Sequence, residues 1–430
     1  MNKLKILIIG SGGREHAIGW KVAQSPRAEE LFFAPGNGGT ASLGKNVDIK
    51  ATDINALLDF AKKENIDMTL ALPDDPLALG IVDIFTANGL KIFGPTKAAA
   101  QLESSKAFAK HFMETYNLPT ASFKTFTDFD EAIKYLDNQK LPIVIKASGL
   151  ALGKGVFICA NYEEAKEALS DILVKKIFGE SGNEVVIEEF LEGIEISTHA
   201  FSDGKSYSIF PPSQDHKRIG EGDMGLNTGG MGTIAPLPFV TDDIMADVES
   251  SIIKLTLSSM NAQRMPFVGV LYPGLMLTKD GPKILEYNAR FGDPETQSYM
   301  RLLETDILDI FEACINGTLS TINIKWKPLF ACTIVLASGG YPGNYEKGKI
   351  ISGIKEAENN SNIFVFHAGT KLDENGNFVT NGGRVFGVSA IGNTLKEALK
   401  SAYEAVSKIS FDGMQYRRDI GQKALKYLKK

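Results

Sequence analysis

The stretch EYNARFGDPETQ, Glu286 to Gln297, concentrates side chains that can do chemistry. KILEY, which runs into it, reads as a strand, and side chains on a strand alternate faces. Glu286, Asn288 and Arg290 therefore share one face, Tyr287 and Ala289 take the other, and Asp293 and Glu295 follow a Gly turn. Two oxygen donors suit Mg²⁺, which takes one or two protein ligands and fills its shell with phosphate oxygens. A guanidinium two residues on suits a phosphate or a carboxylate. A surface strand with a salt bridge is the plain alternative.

Three other segments bear on that choice. VIKASGLALGKGVFI (144–158) is strand, Gly-rich loop, strand. It is not a Walker A loop, because Gly149 to Gly153 is one residue short and Gly155, not Ser or Thr, follows Lys154. Gly149, Gly153 and Gly155 still let backbone N–H groups approach an anion, and Lys146 adds a fixed positive charge. The reading is a flexible hairpin over a polyphosphate, against an ordinary turn with surface lysines. In VVIEEFLEGIEIS (185–197), free backbone groups at Glu189 to Leu191 would read an adenine, and Glu195 would accept from ribose hydroxyls. Taken alone that segment is weak, since acidic residues after a strand are usually solvated. SQDHKRIGEGDMGLNTGGMG (213–232) mixes Asp215, His216, Lys217 and Arg218 with glycines, as a substrate or phosphate clamp would. His216 as a general base lacks a Ser or Cys nucleophile pattern beside it. With the hairpin and the adenine-like hinge upstream, Glu286 and Asn288 are read as magnesium ligands bridging to ATP phosphates.

The N-terminal IIGSGGREHA is close to a dinucleotide loop, but Glu15 stands where the third Gly should be. The helix N-terminus that follows is still a natural anion site. APGNGGT (34–40) is a second Gly-rich turn at the C-terminal end of a strand, the side on which open α/β sheets bind ligands.

The elements that must position these residues fall into three blocks. Residues 1–100 alternate strands (KILIIG, ELFFAPGN, DMTLAL, KIFG) with helices (REHAIGWKVAQ, INALLDFAKKEN, LALGIVDIFTANG), the pattern of a doubly wound parallel sheet. SSKAFAKHFMETYN is a helix with a Ser N-cap, ended by the LP at 118–119. From about 120 the style is α+β, with strands FKTF, PIVIKA, GVFICA and EVVIEEFLEG around amphipathic helices. Residues 213–238 read as one long Gly-rich connection, of the kind that is functional or disordered. A helix over about 242–262, two strands and a helix near 296–317 follow, and from 328 a third α+β block begins. The expected division is 1–102, 103–326 with a mobile subdomain at about 121–192, and a small 327–430 domain.

Composition narrows the class. A chain of 430 residues is too long for one core. At 43% hydrophobic and 23% charged it is an ordinary globular composition, and a net charge of −6 gives no general pull towards nucleic acid or anionic membrane. No apolar run reaches the roughly 18 residues of a membrane span. The apolar run after MNKLK is too short for a secretory signal and reads as a first strand. Cys159, Cys314 and Cys332 form no CxxC and read as buried thiols in a reducing cytoplasm.

In order, GSGGREHA, APGNGGT, KIFGPTKAAAQLESSKAF, IKASGLALGKGV, VIEEFLEG, SQDHKR, NTGGMG, EYNARFGDPETQ, GGYPG, FHAGTKL and TNGGRVFGVSA resemble the phosphoribosylamine–glycine ligases of the ATP-grasp superfamily, end to end. That resemblance implies a central ATP-grasp fold. It implies the ATP-dependent joining of glycine to 5-phospho-β-D-ribosylamine through a glycyl phosphate, with Mg²⁺ or Mn²⁺, in a monomeric enzyme of purine synthesis. It also implies roles. Lys106 and Lys146 would hold the phosphates under a hairpin of Gly153, Lys154 and Gly155. Glu188, Glu189, Phe190 and Leu191 would line the adenine, and Glu195 the ribose. Glu286 and Asn288 would hold the metal. Arg290, Asp293, Asp215 and Lys217 would surround the reacting groups. Gly12, Gly13, Asn37, Gly38, Asp74, Asn227 and Gly229 would meet the substrate.

Two segments depart from the family pattern, with Leu72 for Gly, Asp74 for Glu and Ser148 for Asp. G-P-E-x-P-L is here LPDDPL, so Asp74 replaces a Glu and retracts the carboxylate by about 1.5 Å. I-K-A-D-G-L is here IKASGL, so Ser148 removes a negative charge near the phosphates. LPDDPL is also the one feature that favours a rival, an ATP-grasp ligase for a different acceptor. A nucleotide-binding regulator without catalysis is the other rival, and the presence of Lys106, Lys146, Glu286 and Asn288 speaks against it.

Overall fold

A computed structural model describes residues 3–151 and 155–427. The N-terminal strands Leu4–Gly10, Ala28–Pro35, Lys45–Asn46, Met68–Ala71 and Ile92–Phe93 form one parallel sheet. Its spatial order is third, second, first, fourth, fifth, so the crevice where the winding reverses lies beside the first strand. Strands such as Leu4–Gly10 are buried along most of their length because helices cover both faces. The segment expected as a single helix at 77–89 falls in two, Asp74–Leu79 and Ile81–Ala87. Gly80 between them sits at φ +90°, a left-handed conformation that ends the first helix.

Ser105 caps the helix Lys106–Thr115 by accepting from the Phe108 N–H at 3.2 Å. Beyond it, Phe123–Phe126, Val185–Glu189, Ile143–Ala147 and Val156–Cys159 form a four-stranded antiparallel sheet in that order. Two amphipathic helices, Phe129–Leu136 and Tyr162–Leu169, cover it, and their apolar faces enclose a core of their own around Ile145, Leu169 and Ile187. A second antiparallel sheet holds Ile194–Ser197, Ala200–Asp203, Tyr207–Ile209, Val268–Thr278 and Gly281–Asn288.

The stretch 213–238, expected as a long loop, is largely paired. Gln214–Asp215 and Gly232–Ala235 join Phe330–Ala337, Arg384–Gly392 and Ile363–His367 in a five-stranded sheet. Between them, Arg218–Gly220 and Met224–Asn227 make a small hairpin. Glycines hide such strands from pattern reading, and the partner of Gly232–Ala235 lies about a hundred residues away in sequence. This sheet also draws strands from both sides of residue 326, so the last block shares a sheet with the middle one. The helix expected near 296–317 breaks into Glu295–Leu302 and Ile307–Asn316, the second capped by Asp306. All three cysteines are buried and free. Among the described residues no helix is long and apolar enough to cross a membrane.

Asn37 ties the first and last blocks together. Its buried amide donates to the Ser11 and His367 carbonyls, each at 2.9 Å, and its oxygen accepts from the Gly39 and Thr40 N–H groups. Replacing Asn37 by Ala strands three buried polar groups, the His367 carbonyl and the Gly39 and Thr40 N–H groups, each costing about 1–3 kcal/mol if left unpaired. The variant should show a clearly lower urea midpoint; an unchanged midpoint would refute this role for the amide.

Candidate active site

A cavity of about 1290 Å³ opens where the blocks meet. Its wall includes Lys106, Lys146, Glu188, Lys217, Glu286 and Arg290. The alternation expected for EYNAR holds: Tyr287 and Ala289 are buried on one side, while Glu286, Asn288 and Arg290 face the cavity. Glu286 pairs with Gly274 and Asn288 with Tyr272 on the neighbouring strand, which fixes the depth of both donors.

Lysines dominate one wall. Lys146 donates to the Leu285 carbonyl at 3.0 Å and pairs with Glu188, which also pairs with Lys110. All three side chains are buried. Burial favours the neutral form of Lys110 and pulls its pKa down to about 8, although Glu188 opposes this. Burial alone would raise the Glu188 pKa, but Lys146 and Lys110 outweigh it and hold the group below the usual range. Glu188 thus serves the lysines through its side chain, where sequence reading assigned it to adenine. Glu189 is exposed and accepts from the Ser122 N–H, while Phe190 and Leu191 line the cavity mouth. Lys106 donates to the Gly149 carbonyl at 3.2 Å, and burial lowers its pKa. Ser148 accepts from the Ala107 N–H at 3.1 Å, so the hydroxyl still serves the start of that helix. Gly155 lines the cavity and accepts from the Ala147 N–H; Gly153 and Lys154 lie outside the described residues.

Lys217 connects two carboxylates, with Nζ 2.5 Å from Glu195 Oε1 and 3.3 Å from Glu286 Oε1. Burial opposes ionisation of Glu286, but Lys217, Lys146 and Lys106 overcome it and bring its pKa to about 2. A carboxylate ionised at every physiological pH beside an amide oxygen is a hard-donor pair that fits Mg²⁺ or Mn²⁺. No cluster of three acidic, His or Cys groups forms among the described residues, so the remaining ligands of such an ion would be substrate oxygens or water.

Arg290 is held from the N-terminal side. Glu103 Oε1 meets its Nη2 at 2.9 Å, and the other Glu103 oxygen accepts from the Ala289 N–H. Asp293 accepts from Gln297 Nε2 at 2.8 Å, and Arg384 spans its carbonyl and the Gly229 carbonyl, each at 2.6 Å. Burial works against the charge on Asp293, but Arg384 and Arg14 keep its pKa low. Asp215 behaves in the opposite way: burial, then the nearby Glu295, push its pKa well above the carboxylate range. Glu295 accepts from Tyr272 at 2.6 Å and Ser197 at 3.1 Å.

Asp74, Asn227 and Gly229 also line the cavity, joined by Arg14. Gly12, Gly13, Asn37 and Gly38 lie outside its wall, and polar groups of Gly12, Asn37 and Gly38 are engaged elsewhere. The Gly12 N–H donates to Glu15 at 2.6 Å, the Gly38 N–H to the Thr370 carbonyl at 3.0 Å, and Gly13 packs against Gln297. Sequence reading gave no site role to Glu103, Lys110, Arg384, Arg14 or Glu295. Glu295 alone had a local signal, two residues after Asp293 beyond the Gly turn. The others reach the site from distant elements.

An antiparallel sheet with a Gly-rich hairpin and paired lysines, facing a second sheet that carries a carboxylate and an amide on one strand face, defines an ATP-grasp enzyme. Residues 104–296 match the ATP-grasp (A) domain of phosphoribosylglycinamide synthetase, residues 4–103 its N domain and residues 331–423 its C domain. The chain belongs to the phosphoribosylglycinamide synthetase family. It is 50% identical over 425 residues to the phosphoribosylamine–glycine ligase of Vibrio vulnificus, covering 98% of this chain and 99% of that one. The Clostridium acetobutylicum ligase is 49% identical, covering 97% and 100%. The crystal structure of phosphoribosylamine–glycine ligase from Thermotoga maritima superposes with a TM-score of 0.85 at 36% identity, covering 97% of this chain and 100% of that one. A Hydrogenobacter thermophilus biotin carboxylase domain shares the fold at 15% identity, with a TM-score of 0.75 over 97% of this chain and 92% of its own.

Removing one member of a buried ion triad leaves uncompensated charge. Glu188→Gln should cost about 3–5 kcal/mol of stability near neutral pH, read by denaturant unfolding. Lys110 already has a folded pKa below its unfolded one, so its charged form penalises the fold below about 8, and the penalty fades as pH rises. Without Glu188 that pKa falls further, so the deficit of the variant should shrink as pH rises from about 6 to about 8. A deficit independent of pH would count against this account of the triad.

Proposed function

We propose that this protein joins glycine to 5-phospho-β-D-ribosylamine with ATP, giving glycinamide ribonucleotide, ADP and phosphate. The observation that carries the reading is the layout of charge in the cavity, set in a chain about half identical to ligases of that name over its full length. A glycine carboxylate oxygen attacks the γ-phosphorus and ADP leaves, forming glycyl phosphate. The ribosylamine nitrogen then attacks the acyl carbon, phosphate leaves, and the nitrogen gives up a proton to it. No protein nucleophile is required, and catalysis consists of positioning and charge neutralisation.

Lys106, Lys146, Gly153, Lys154 and Gly155 hold the phosphates. Phe190 and Leu191 flank the adenine, and Glu195 takes the ribose. Glu286 and Asn288 would hold Mg²⁺ or Mn²⁺, which supplies charge neutralisation between phosphates when bound. Arg290 and Lys217 face the developing acyl phosphate. Asp215 and Glu295 suit the glycine ammonium: the Asp215 carboxyl, pushed up by burial and by the nearby Glu295, gains most from a bound cation. Arg14, Asp74, Asn227 and Gly229 form the acceptor side. The internal bonds of Gly12, Asn37 and Gly38 support Arg14 and Asp74 over those glycine turns as the sugar-phosphate contacts. The working units are 1–102, 103–326 with a closing subdomain at about 121–192, and 327–430. A monomeric catalyst and a cytoplasmic location complete this reading, in keeping with a role in purine synthesis.

ADP release should require Mg-ATP, glycine and freshly generated phosphoribosylamine together. Release indifferent to phosphoribosylamine would move the acceptor elsewhere and give weight to Asp74 as the altered residue. Lys217→Met should lower kcat by about 100-fold, as loss of one preorganised charge at a reacting phosphoryl group does. A near-normal kcat would remove Lys217 from the reaction.

A further inference from the structure

The hairpin of Arg218–Gly220 and Met224–Asn227 contributes Arg218, Asp223 and Asn227 to the cavity. It forms a two-stranded sheet by itself, a unit of marginal stability in water. Its Met224 and Leu226 side chains are 69% and 65% exposed. Its position must therefore come from contacts outside the hairpin: Ile219 packs beside Met231, Val335 and Ala337, and polar contacts come from the far end of the chain.

Arg417 is 1% exposed, the largest fully buried side chain in the protein. Its Nη1 meets Asp223 Oδ1 at 2.9 Å and donates to the Arg218 carbonyl at 3.1 Å. Its Nε and Nη2 donate to the two oxygens of Asp419, both at 2.8 Å. Asp419 in turn accepts from the Gly222 N–H at the hairpin tip, at 2.8 Å. Next along, the Gly421 N–H donates to His216 Nε2 at 3.2 Å, while His216 Nδ1 lies 3.0 Å from the Gly232 carbonyl. His216 therefore carries its proton on Nδ1, uses both ring nitrogens, and is no general base. It sits between Asp215 and Lys217. At the base of the hairpin, the Thr228 N–H and hydroxyl both donate to the Lys217 carbonyl at 2.8 Å.

We propose that Arg417 to Gly421 is a positioning element of the reaction centre, which fixes Asp215 and Lys217 by clamping the hairpin and His216. The clamp rests on the ligase reading for its consequence but not for its existence. The test compares Arg417→Gln, Arg417→Lys and Asp419→Asn by steady-state kinetics and by amide hydrogen exchange over residues 219–226. Arg417→Gln should keep the KM for ATP within about two-fold, because the adenine wall is untouched, while kcat falls about 10- to 100-fold. Exchange in the hairpin should accelerate in the same variant. Arg417→Lys keeps the charge without the bidentate fork and should fall between. Asp419→Asn should act in the same direction and add little to Arg417→Gln in the double variant; it also decides the matter should Arg417→Gln not fold. A kcat loss that only matches a loss of ATP-binding protein would overturn the proposal, as would unchanged exchange in both variants. A wild-type protein that turns over no glycine and phosphoribosylamine would overturn the reaction and leave the clamp to the exchange data.

Discussion

Buried charge is the constraint on which this site depends. An ammonium removed from water costs several kcal/mol unless a carboxylate meets it. Lys106, Lys110, Lys146 and Lys217 all reach into one cavity. Glu188 answers Lys110 and Lys146, and Glu195 and Glu286 answer Lys217. Each pairing also fixes a position. A triphosphate entering here meets positive charges already held in place, so little reorganisation is left for the moment of reaction.

Other bonds of the charged residues cross between sheets and blocks, and this explains where the cavity lies. Lys146 comes from the small four-stranded sheet and bonds to Leu285 on the neighbouring one. Glu103, from the helix that follows the N-terminal sheet, anchors Arg290. Arg384, from the last block, anchors Asp293 and Gly229. No single sheet holds a complete set of charged pairs, so the site exists only where they converge. The small sheet has its own apolar core and joins the wall through polar contacts such as Lys146 to Leu285. That combination suits a body that shifts as a unit without losing its packing.

Whatever rests on local periodicity was legible in the sequence. The alternating face of Glu286, Asn288 and Arg290, the parallel N-terminal sheet and the Ser105 cap all follow from patterns a few residues long. The strands Gln214–Asp215 and Gly232–Ala235 were not legible, because short glycine-bearing strands are set by partners such as Phe330–Ala337 rather than by their own residues. The partner of a charged side chain was equally hidden. Glu188 read as a solvated acid or an adenine neighbour until Lys110 and Lys146 stood beside it. His216 read as a candidate base until Gly421 and Gly232 took up its two nitrogens.

The first glycine turn shows how one residue redirects a fold. In a parallel sheet of this order the turn after the first strand commonly meets a ligand phosphate through backbone N–H groups. Here Glu15 folds its carboxylate back onto the Gly12 N–H and pairs with Arg14. The first N–H of this helix end is thus taken up from within, and the Arg14 backbone is taken up by Asp293. A Cβ on Gly12 would lie 2.8 Å from Glu15 Oε2, so little room remains for an anion. The crevice keeps its place in the fold but changes its means. Arg14 and Asp74 line the cavity from this side, so recognition there passes from backbone amides to side chains. Side chains can change one at a time while the sheet stays as it is. LPDDPL, with Asp74 at its centre, can therefore vary while the pairs that Lys110, Lys146 and Lys217 make with their carboxylates stay as they are.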